Sequence, residues 1–581
     1  MSNRGEDRPR GIPVAVRGEP AVLGASGPGS GNWYPGYVIL TSPNGINWTY
    51  QASPLDLHLP GTPTDQVAYS PHLGLWIASS DWTLSGGLAS LAVHSSDGKT
   101  WTSVVSPQVL ANFVSLGVAG FAGISQVEFN YETPVLCYSS DGVTWTADNS
   151  RVLTPGPDDT PGFLFYRELP APVLVVADLV DTGTGGTLAA NTAYAYVATF
   201  VNANGQTTGS TERAITTGGG AGTHTVTITA PLPDGSSEEG ITVDVYGRIH
   251  GSLGLIAQGI VPTGSEWTWI DTGAVAPAAA VPSSNTTGNV FLAYMDDWDA
   301  TQPNLAYMPA VDFPGGTWTT VVSVSGYPVG GYPSYIFNQS VTGSAAVDPS
   351  GNIMLNLIAQ GDNGSAYVAT QVQLFSTDGG MTWAQTENFL PVNSSTSLVS
   401  ARELIYGAGV WLQILVTDTG NNAIYTSADN GNTWTVQASA AALNPQSLAT
   451  DGTTVVAVGV PTDLANEWRY ETTTPVPPPS YVCCMTSTDG VNWVPRKTPF
   501  DGVTWGVHSG SVVTLTLGTG VGSYLNGGLN GIAYSPDLSL YVAVGYSYRL
   551  SGVSGAGGCY VGSINIISPI SPTSETSGAY H

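Results

Sequence analysis

Ser95-Ser-Asp-Gly-Lys-Thr-Trp101 and Ser139-Ser-Asp-Gly-Val-Thr-Trp145 are near-copies of each other, and the phrase returns as Ser487-Thr-Asp-Gly-Val-Asn-Trp493. Ser42-Pro-Asn-Gly-Ile-Asn-Trp48 replaces the Asp by Asn. Ser376-Thr-Asp-Gly-Gly-Met-Thr-Trp383 and Ser427-Ala-Asp-Asn-Gly-Asn-Thr-Trp434 are one residue longer, and Gly315-Gly-Thr-Trp318 keeps only the second half. The physical reading is a turn. A short carboxylate or amide folds back on the following backbone N–H groups, Gly accepts a positive φ, and the chain reverses into a strand opened by Trp. The Trp, large and apolar with one polar edge, then packs between neighbouring sheets.

Outward from these turns the chain reads as strands. Apolar segments are short, alternating or β-branched, and end in Gly, Pro, Asn or Asp, as in Tyr37-Val-Ile-Leu-Thr41, His224-Thr-Val-Thr-Ile-Thr229 and Leu540-Tyr-Val-Ala-Val544. Helical periodicity is nearly absent, so the class is all-β. The repeated phrase resembles the Asp box, S-x-D-x-G-x-T-W, of sialidase-type (BNR-repeat) β-propellers. Two copies match the full pattern and the rest are shortened or degenerate. The resemblance implies a closed wheel of four-stranded blades, in which closure removes exposed sheet edges. The N-terminal copy has a turn at 42–48, while the C-terminal strand pair, Ile532-Ala-Tyr-Ser-Pro536 then Tyr541-Val-Ala-Val544, has none after it. Sharing one blade between the two ends gives seven blades; keeping them apart gives eight, and seven is the expectation adopted.

Spacing between successive turn tryptophans is 53, 44, 173, 65, 51 and 59 residues. One gap is too long for a single blade, and removing residues 170–283 restores the period. That stretch carries its own strand signals, Leu188–Gly205 with alternating aromatics and an Asn-Gly turn, Ile241–Arg248, and Trp267–Gly273. It resembles the fibronectin type III-like sandwiches of phage tail and bacterial surface proteins. The expected organisation is an N-terminal arm (1–19), propeller (20–169), inserted sandwich (170–283), propeller again (284–567) and a C-terminal tail (568–581).

Composition narrows the function. Charged residues are 10% of 581, against a typical ~25%, and the formal net charge is −28. A broad negative field repels phosphates, which argues against nucleic-acid binding. No run of about 18 apolar residues is present, so no membrane span is expected. The four cysteines, Cys137, Cys483, Cys484 and Cys559, do not form a disulfide or zinc framework, and the neighbours Cys483 and Cys484 are expected on opposite strand faces. The polar opening residues, Met1 to Arg10, lack an apolar signal core. Synthesis in a host cytoplasm followed by service in a virion is the expectation.

The turn aspartates, Asp97, Asp141, Asp378, Asp429 and Asp489, are explained by the turn itself and are not read as catalytic. Candidate ligand contacts instead come from segments expected as loops between second and third strands, on the opposite rim. They are Trp33, Tyr34, Asp81, Trp82, Asp297, Trp298, Trp468, Arg469, Tyr470 and Arg549. Aromatic faces beside carboxylates and guanidinium groups suit sugar rings, whose C–H faces stack and whose hydroxyls take paired polar partners. For any one Trp the alternative is a lid over its own blade. Asp296, Asp297 and Asp299 could gather a Ca²⁺ but also read as a solvated acidic turn; no other cofactor or metal is expected.

Sialidases also use three arginines to clamp a carboxylate, one of them in an F/Y-R-I-P segment. Here Arg10-Gly-Ile-Pro13 is off by one residue, so the family's catalytic set is not carried over, and fold alone licenses no activity. Arg4, Arg8, Arg10 and Arg17 make the first 17 residues basic on an acidic body, which reads as a virion-attachment peptide or as a plain tail. The expected function is a non-enzymatic phage tail fibre or receptor-binding protein that recognises a host-surface glycan, assembled as a trimer or higher oligomer and attached to other virion proteins. The alternatives are a sialidase-like or depolymerase-type glycan hydrolase, and a purely structural virion protein.

Overall fold

The computed structural model describes residues 33–51, 66–83, 90–106, 110–125, 135–148, 160–183, 185–220, 223–232, 240–295, 303–323, 337–362, 367–385, 401–416, 422–461, 483–496 and 527–550. Among them there is no α-helix; nearly all regular structure is β. Seven four-stranded antiparallel sheets account for most of it. The first joins the two ends of the described chain: β1 (Trp33–Ser42) and β2 (Thr49–Gln51) lie beside the last two strands. The second holds β3 (Gln66–Ser70), β4 (Leu75–Thr83), β5 (Ser90–Ser95) and β6 (Thr102–Ser106). In the third are β7 (Leu110–Ser115), β8 (Phe121–Ser125), β9 (Leu136–Ser139) and β10 (Thr146–Ala147).

The fourth sheet is split in sequence. Its first strand, β11 (Thr160–Arg167), pairs with β20 (Asn289–Met295), followed by β21 (Pro303–Pro309) and β22 (Thr319–Ser323). Between them the chain builds two other sheets. One has β12 (Leu179–Asp181), β16 (Val226–Pro231) and β19 (Glu266–Asp271). The other has β13 (Ala193–Asn202), β14 (Gly205–Gln206), β15 (Arg213–Thr216), β17 (Thr242–Ile249) and β18 (Ser252–Ile260). Their inner faces share one core, including Tyr196, Phe200, Val226, Ile228, Val243 and Trp267. The turn at Asn202–Gly205 grips the returning chain, with the Asn204 side chain donating to the Thr287 carbonyl (3.1 Å) and to Asn289 Oδ1 (2.8 Å).

The fifth sheet holds β23 (Phe337–Val347), β24 (Ile353–Asp362), β25 (Tyr367–Ser376) and β26 (Ala384–Gln385). Next come β27 (Ala401–Gly407), β28 (Val410–Val416), β29 (Asn422–Ser427) and β30 (Thr435–Val436). The seventh has β31 (Leu443–Thr450), β32 (Val455–Pro461), β33 (Cys484–Ser487) and β34 (Val494–Arg496). The last strands, β35 (Gly527–Ser535) and β36 (Leu540–Leu550), complete the first sheet, with β36 paired to β1 over ten residues from Trp33↔Leu550 to Ser42↔Tyr541.

Burial shows how the sheets are arranged. Ile39, Trp76 and Val542 share a cluster between sheets one and two; Ile77, Phe113 and Phe121 between two and three; Leu116, Leu164 and Val290 between three and four. Phe165, Phe291 and Leu355 join four to five, Met354 and Trp411 five to six, Leu412 and Val455 six to seven, and Val456 and Tyr541 seven back to one. The sheets therefore form a closed ring. Each of these clusters contains one turn tryptophan, in ring order Trp101, Trp145, Trp318, Trp383, Trp434, Trp493 and Trp48.

The turns themselves follow from hydrogen-bond satisfaction. Asp97 Oδ1 accepts from the N–H of Lys99 (2.8 Å) and Thr100 (2.7 Å) and from the Ser95 hydroxyl (2.9 Å), while Trp101 Nε1 donates to the Gly98 carbonyl (3.1 Å). Gly98 is doubly required. Its φ is +69°, and a Cβ there would stand 2.8 Å from Leu540 Cδ2 of the neighbouring sheet. The turn glycine is thus also a point of contact between sheets.

Cys483 and Cys484 differ from expectation: both are buried in the same cluster between sheets seven and one, and neither forms a disulfide. Cys483 lies in the bend before β33, so the alternation of strand side chains does not reach it.

Candidate ligand-binding rim

Strand direction gives the ring two distinct rims. In every sheet the segment 42–48, 95–101, 139–145, 315–318, 376–383, 427–434 or 487–493 links the third strand to the fourth, so these turns share one rim. The chain between β11 and β20 leaves after Arg167 and returns at Asn289, residues that face each other in register, and it departs from that same rim. Ends of second strands and beginnings of third strands therefore lie at the opposite rim.

Five of the ten candidates are described there, in strands rather than in loops. Trp33 and Tyr34 open β1, opposite Leu550 and Arg549 at the end of β36. Pairing runs out to the rim, which is why these residues are extended. Asp81 and Trp82 lie near the end of β4, where the register with β5 shifts between Ser79 and Thr83. The first and second sheets are neighbours in the ring. The structure thus brings Trp33, Tyr34, Arg549, Asp81 and Trp82 to one rim of two adjacent sheets. Asp297 and Trp298 fall outside the described residues, between Met295 of β20 and Pro303 of β21. Trp468, Arg469 and Tyr470 also fall outside, in the stretch of sequence between Pro461 of β32 and Cys484 of β33. Asp296, Asp299, Arg4, Arg8, Arg10 and Arg17 are outside the described residues as well. Among the described residues no group of three or more His, Cys, Asp or Glu side chains could hold a metal ion, and no helix is long and apolar enough to cross a membrane.

The turn carboxylates are fully engaged by their own loops. Burial alone would raise the Asp97 carboxyl, but the N–H groups of Thr100 and Lys99 and two hydroxyls outweigh it and hold it down to about 2. For Asp141 the Thr144 N–H is the largest influence, and the carboxyl again falls to about 2. A carboxylate so satisfied is a poor proton donor or acceptor at neutral pH.

Sequence reasoning missed a set of polar groups on the ring's innermost strands. Gln66 Oε1 on β3 accepts from the Phe113 N–H of β7 (3.2 Å), Glu403 Oε2 on β27 from the Leu448 N–H of β31 (2.6 Å), and Ser447 Oγ on β31 from the Ile532 N–H of β35 (3.1 Å). These are equivalent positions, each latching one inner strand to the next. Crowding by protein raises the Glu403 carboxyl to about 7, with the Ser447 hydroxyl and the Leu448 N–H working against the rise. The available signal was a lone acid in the otherwise apolar strand Glu403-Leu-Ile-Tyr406.

No family model matches the sequence, and neither does any curated protein. Similar solved structures include a Penicillium chrysogenum α-L-arabinanase, 10% identical over 68% of this chain and 88% of that one, at a TM-score of 0.27. The phage phi92 endosialidase is 11% identical, covering 95% of this chain and 71% of that one, at 0.25. A Trypanosoma rangeli sialidase is 14% identical, covering 68% and 60%, at 0.23. Likenesses this low say nothing about activity, which rests on the geometry of the rim and the inner strands.

Proposed function

We propose that the ring is a seven-bladed β-propeller whose turns are Asp boxes, that residues 170–283 form a fibronectin type III-like sandwich set into it, and that the protein binds a glycan with the rim opposite the turns. The propeller then comprises residues 20–169 and 284–567, with an arm at 1–19 and a tail at 568–581. The supporting observation is the asymmetry of the ring. One rim carries the turns and the insert, while the other gathers Trp33, Tyr34, Arg549, Asp81 and Trp82 on adjoining sheets. Sugar rings are recognised by aromatic faces flanked by charged and amide groups. In the fuller reading this is a non-enzymatic, virion-associated receptor-binding protein. Arg4, Arg8, Arg10 and Arg17 attach it to other tail proteins, and a trimeric or higher fibre multiplies weak contacts with the host surface.

Glu403 favours a second reading, a glycan hydrolase, because a carboxyl raised to about 7 on the inner wall suits a general acid. A hydrolase needs a second carboxylate roughly 5–10 Å away. A glycan array probed with the full chain, run beside a reducing-sugar release assay on the glycans retained, decides between them. Binding that is lost in Trp33→Ala and Trp82→Ala without sugar release supports the first reading. Sugar release that disappears in Glu403→Gln replaces it with the second.

A further inference from the structure

The interface between the fifth and sixth sheets departs from the rest of the ring. On β24, Ile353, Leu355 and Leu357 face the fourth sheet, so the alternate residues Met354 and Asn356 face the sixth. On β28, Leu412 and Ile414 face the seventh sheet, so Trp411 and Gln413 face the fifth. Ser344 on β23 and Gln373 on β25 stand in register on either side of Asn356. Gln373 already crosses the interface: its Nε2 donates to the Gly431 carbonyl (3.3 Å), and its Oε1 accepts from Trp434 Nε1 (3.0 Å). Four polar side chains therefore face one seam, with Asn356 and Gln413 both 0% exposed and Ser344 5% exposed.

Three of the four are orphaned. Both amide atoms of Asn356, both amide atoms of Gln413 and the Ser344 hydroxyl have no hydrogen-bond partner among the described residues. Leaving buried polar groups unpaired is costly, about 1–3 kcal/mol each, so such groups in a folded protein call for a partner. At the register of Asn356 the other sheets place Ser79, Ile124, Ile414, Val458 and Val544, and at that of Gln413 they place Ala78, Gly123, Leu355, Ala457 and Ala543. Among these sheets a carboxamide at either second-strand position is thus particular to this one interface.

The chemistry of the partner follows from what is unpaired. A cation would satisfy the amide oxygens and hydroxyl but oppose the NH₂ groups; an anion would do the reverse. Only a small ligand that both donates and accepts serves all five atoms. We propose that the seam between sheets five and six is an internal hydration site, in which buried water, roughly two molecules at about three hydrogen bonds each, bridges Ser344, Asn356 and Gln413. The bridge joins the two sheets where the described apolar cluster is small, with Met354, Leu404 and Trp411 as its buried members.

A high-resolution crystal structure of the full chain tests this, with crystals soaked in thallium or rubidium salt and a second structure of the Asn356→Leu, Gln413→Met double variant. The expected result is water density within hydrogen-bond distance of both amides, no anomalous signal after soaking, and density gone from the double variant. Direct bonding of the Asn356 and Gln413 amides to each other, with no density between them, overturns the proposal. Anomalous signal at the site overturns it in favour of a cation. Should the double variant not fold, crystals of the unsubstituted protein still separate bound water from both contrary outcomes.

Discussion

The ring and the sandwich inserted in it are both built from antiparallel sheets, yet they are held by different forces. In the ring, each interface carries a tryptophan delivered by a turn, and the acidic groups of those turns stay at the surface, satisfied by backbone N–H groups. The sandwich adds a buried ion pair. Asp271, 0% exposed, takes a two-pronged ion pair from Arg248, whose Nε and Nη2 each stand 2.7 Å from a carboxylate oxygen. The Tyr196 hydroxyl (2.9 Å) and the Gly273 N–H (2.8 Å) complete its shell. A repeated ring distributes its stability over many equivalent seams, whereas a single small sandwich concentrates it in one network. Damage should therefore be local and graded in the ring but abrupt in the insert.

The largest expected effect is in the sandwich. Asp271→Ala leaves the part-buried Arg248 without its carboxylate partner and should remove about 3 kcal/mol. Calorimetry should show an early unfolding transition for the insert with the ring transition unmoved; one unshifted transition would mean that ring and insert do not differ in this way. In the ring, Gly98→Ala meets both the positive φ and Leu540, and should lower the main transition by about 1–3 kcal/mol. Replacing one turn acid, Asp141→Ala, should cost about 1 kcal/mol because it frees the N–H groups of Val143 and Thr144 at an exposed turn, where water takes over.

Two smaller effects, both of pH, belong to the ring. Asp97 and Asp141 have folded-state carboxyls held at about 2, below the ordinary 3.8, so their contribution is complete above pH 4 and is lost as pH falls toward 2. Acid titration followed by tryptophan fluorescence should show the ring weakening in that window, less so in Asp141→Asn. Glu403 has the opposite sign. Its folded carboxyl is raised from 4.5 to about 7, so the native state holds the proton more tightly and stability declines as pH rises between those values. Glu403→Gln should flatten that slope while keeping an acceptor for the Leu448 N–H; an unchanged slope would mean that Glu403 is freely solvated.

The all-β class was legible because alternation and Gly/Asn turns survive in nearly every segment, and helical periodicity does not. Less legible was how sheets touch. The turn glycines announce a positive φ, but that Gly98 also abuts Leu540 depends on a strand more than four hundred residues away in sequence. The latches of Gln66, Glu403 and Ser447, and the orphaned amides of Asn356 and Gln413, look like ordinary polar residues in strands until the neighbouring sheet is present. For the candidate rim, residue type could be read from the chain, but that Tyr34 lies opposite Arg549 follows only from the pairing of the two ends. Cys483 and Cys484 show the converse: alternation was applied one residue beyond the strand that enforces it.

Closure of the ring through β1 and β36 is the claim on which the shared rim, the seams and the separate insert all depend. Backbone amide exchange, measured by mass spectrometry on peptides covering 38–42 and 541–545, addresses it directly. A closed ring predicts protection in both peptides equal to that of β28 and β32, strands that lie within single uninterrupted sheets. Fast exchange in either peptide, with β28 and β32 still protected, would mean that the two ends do not meet.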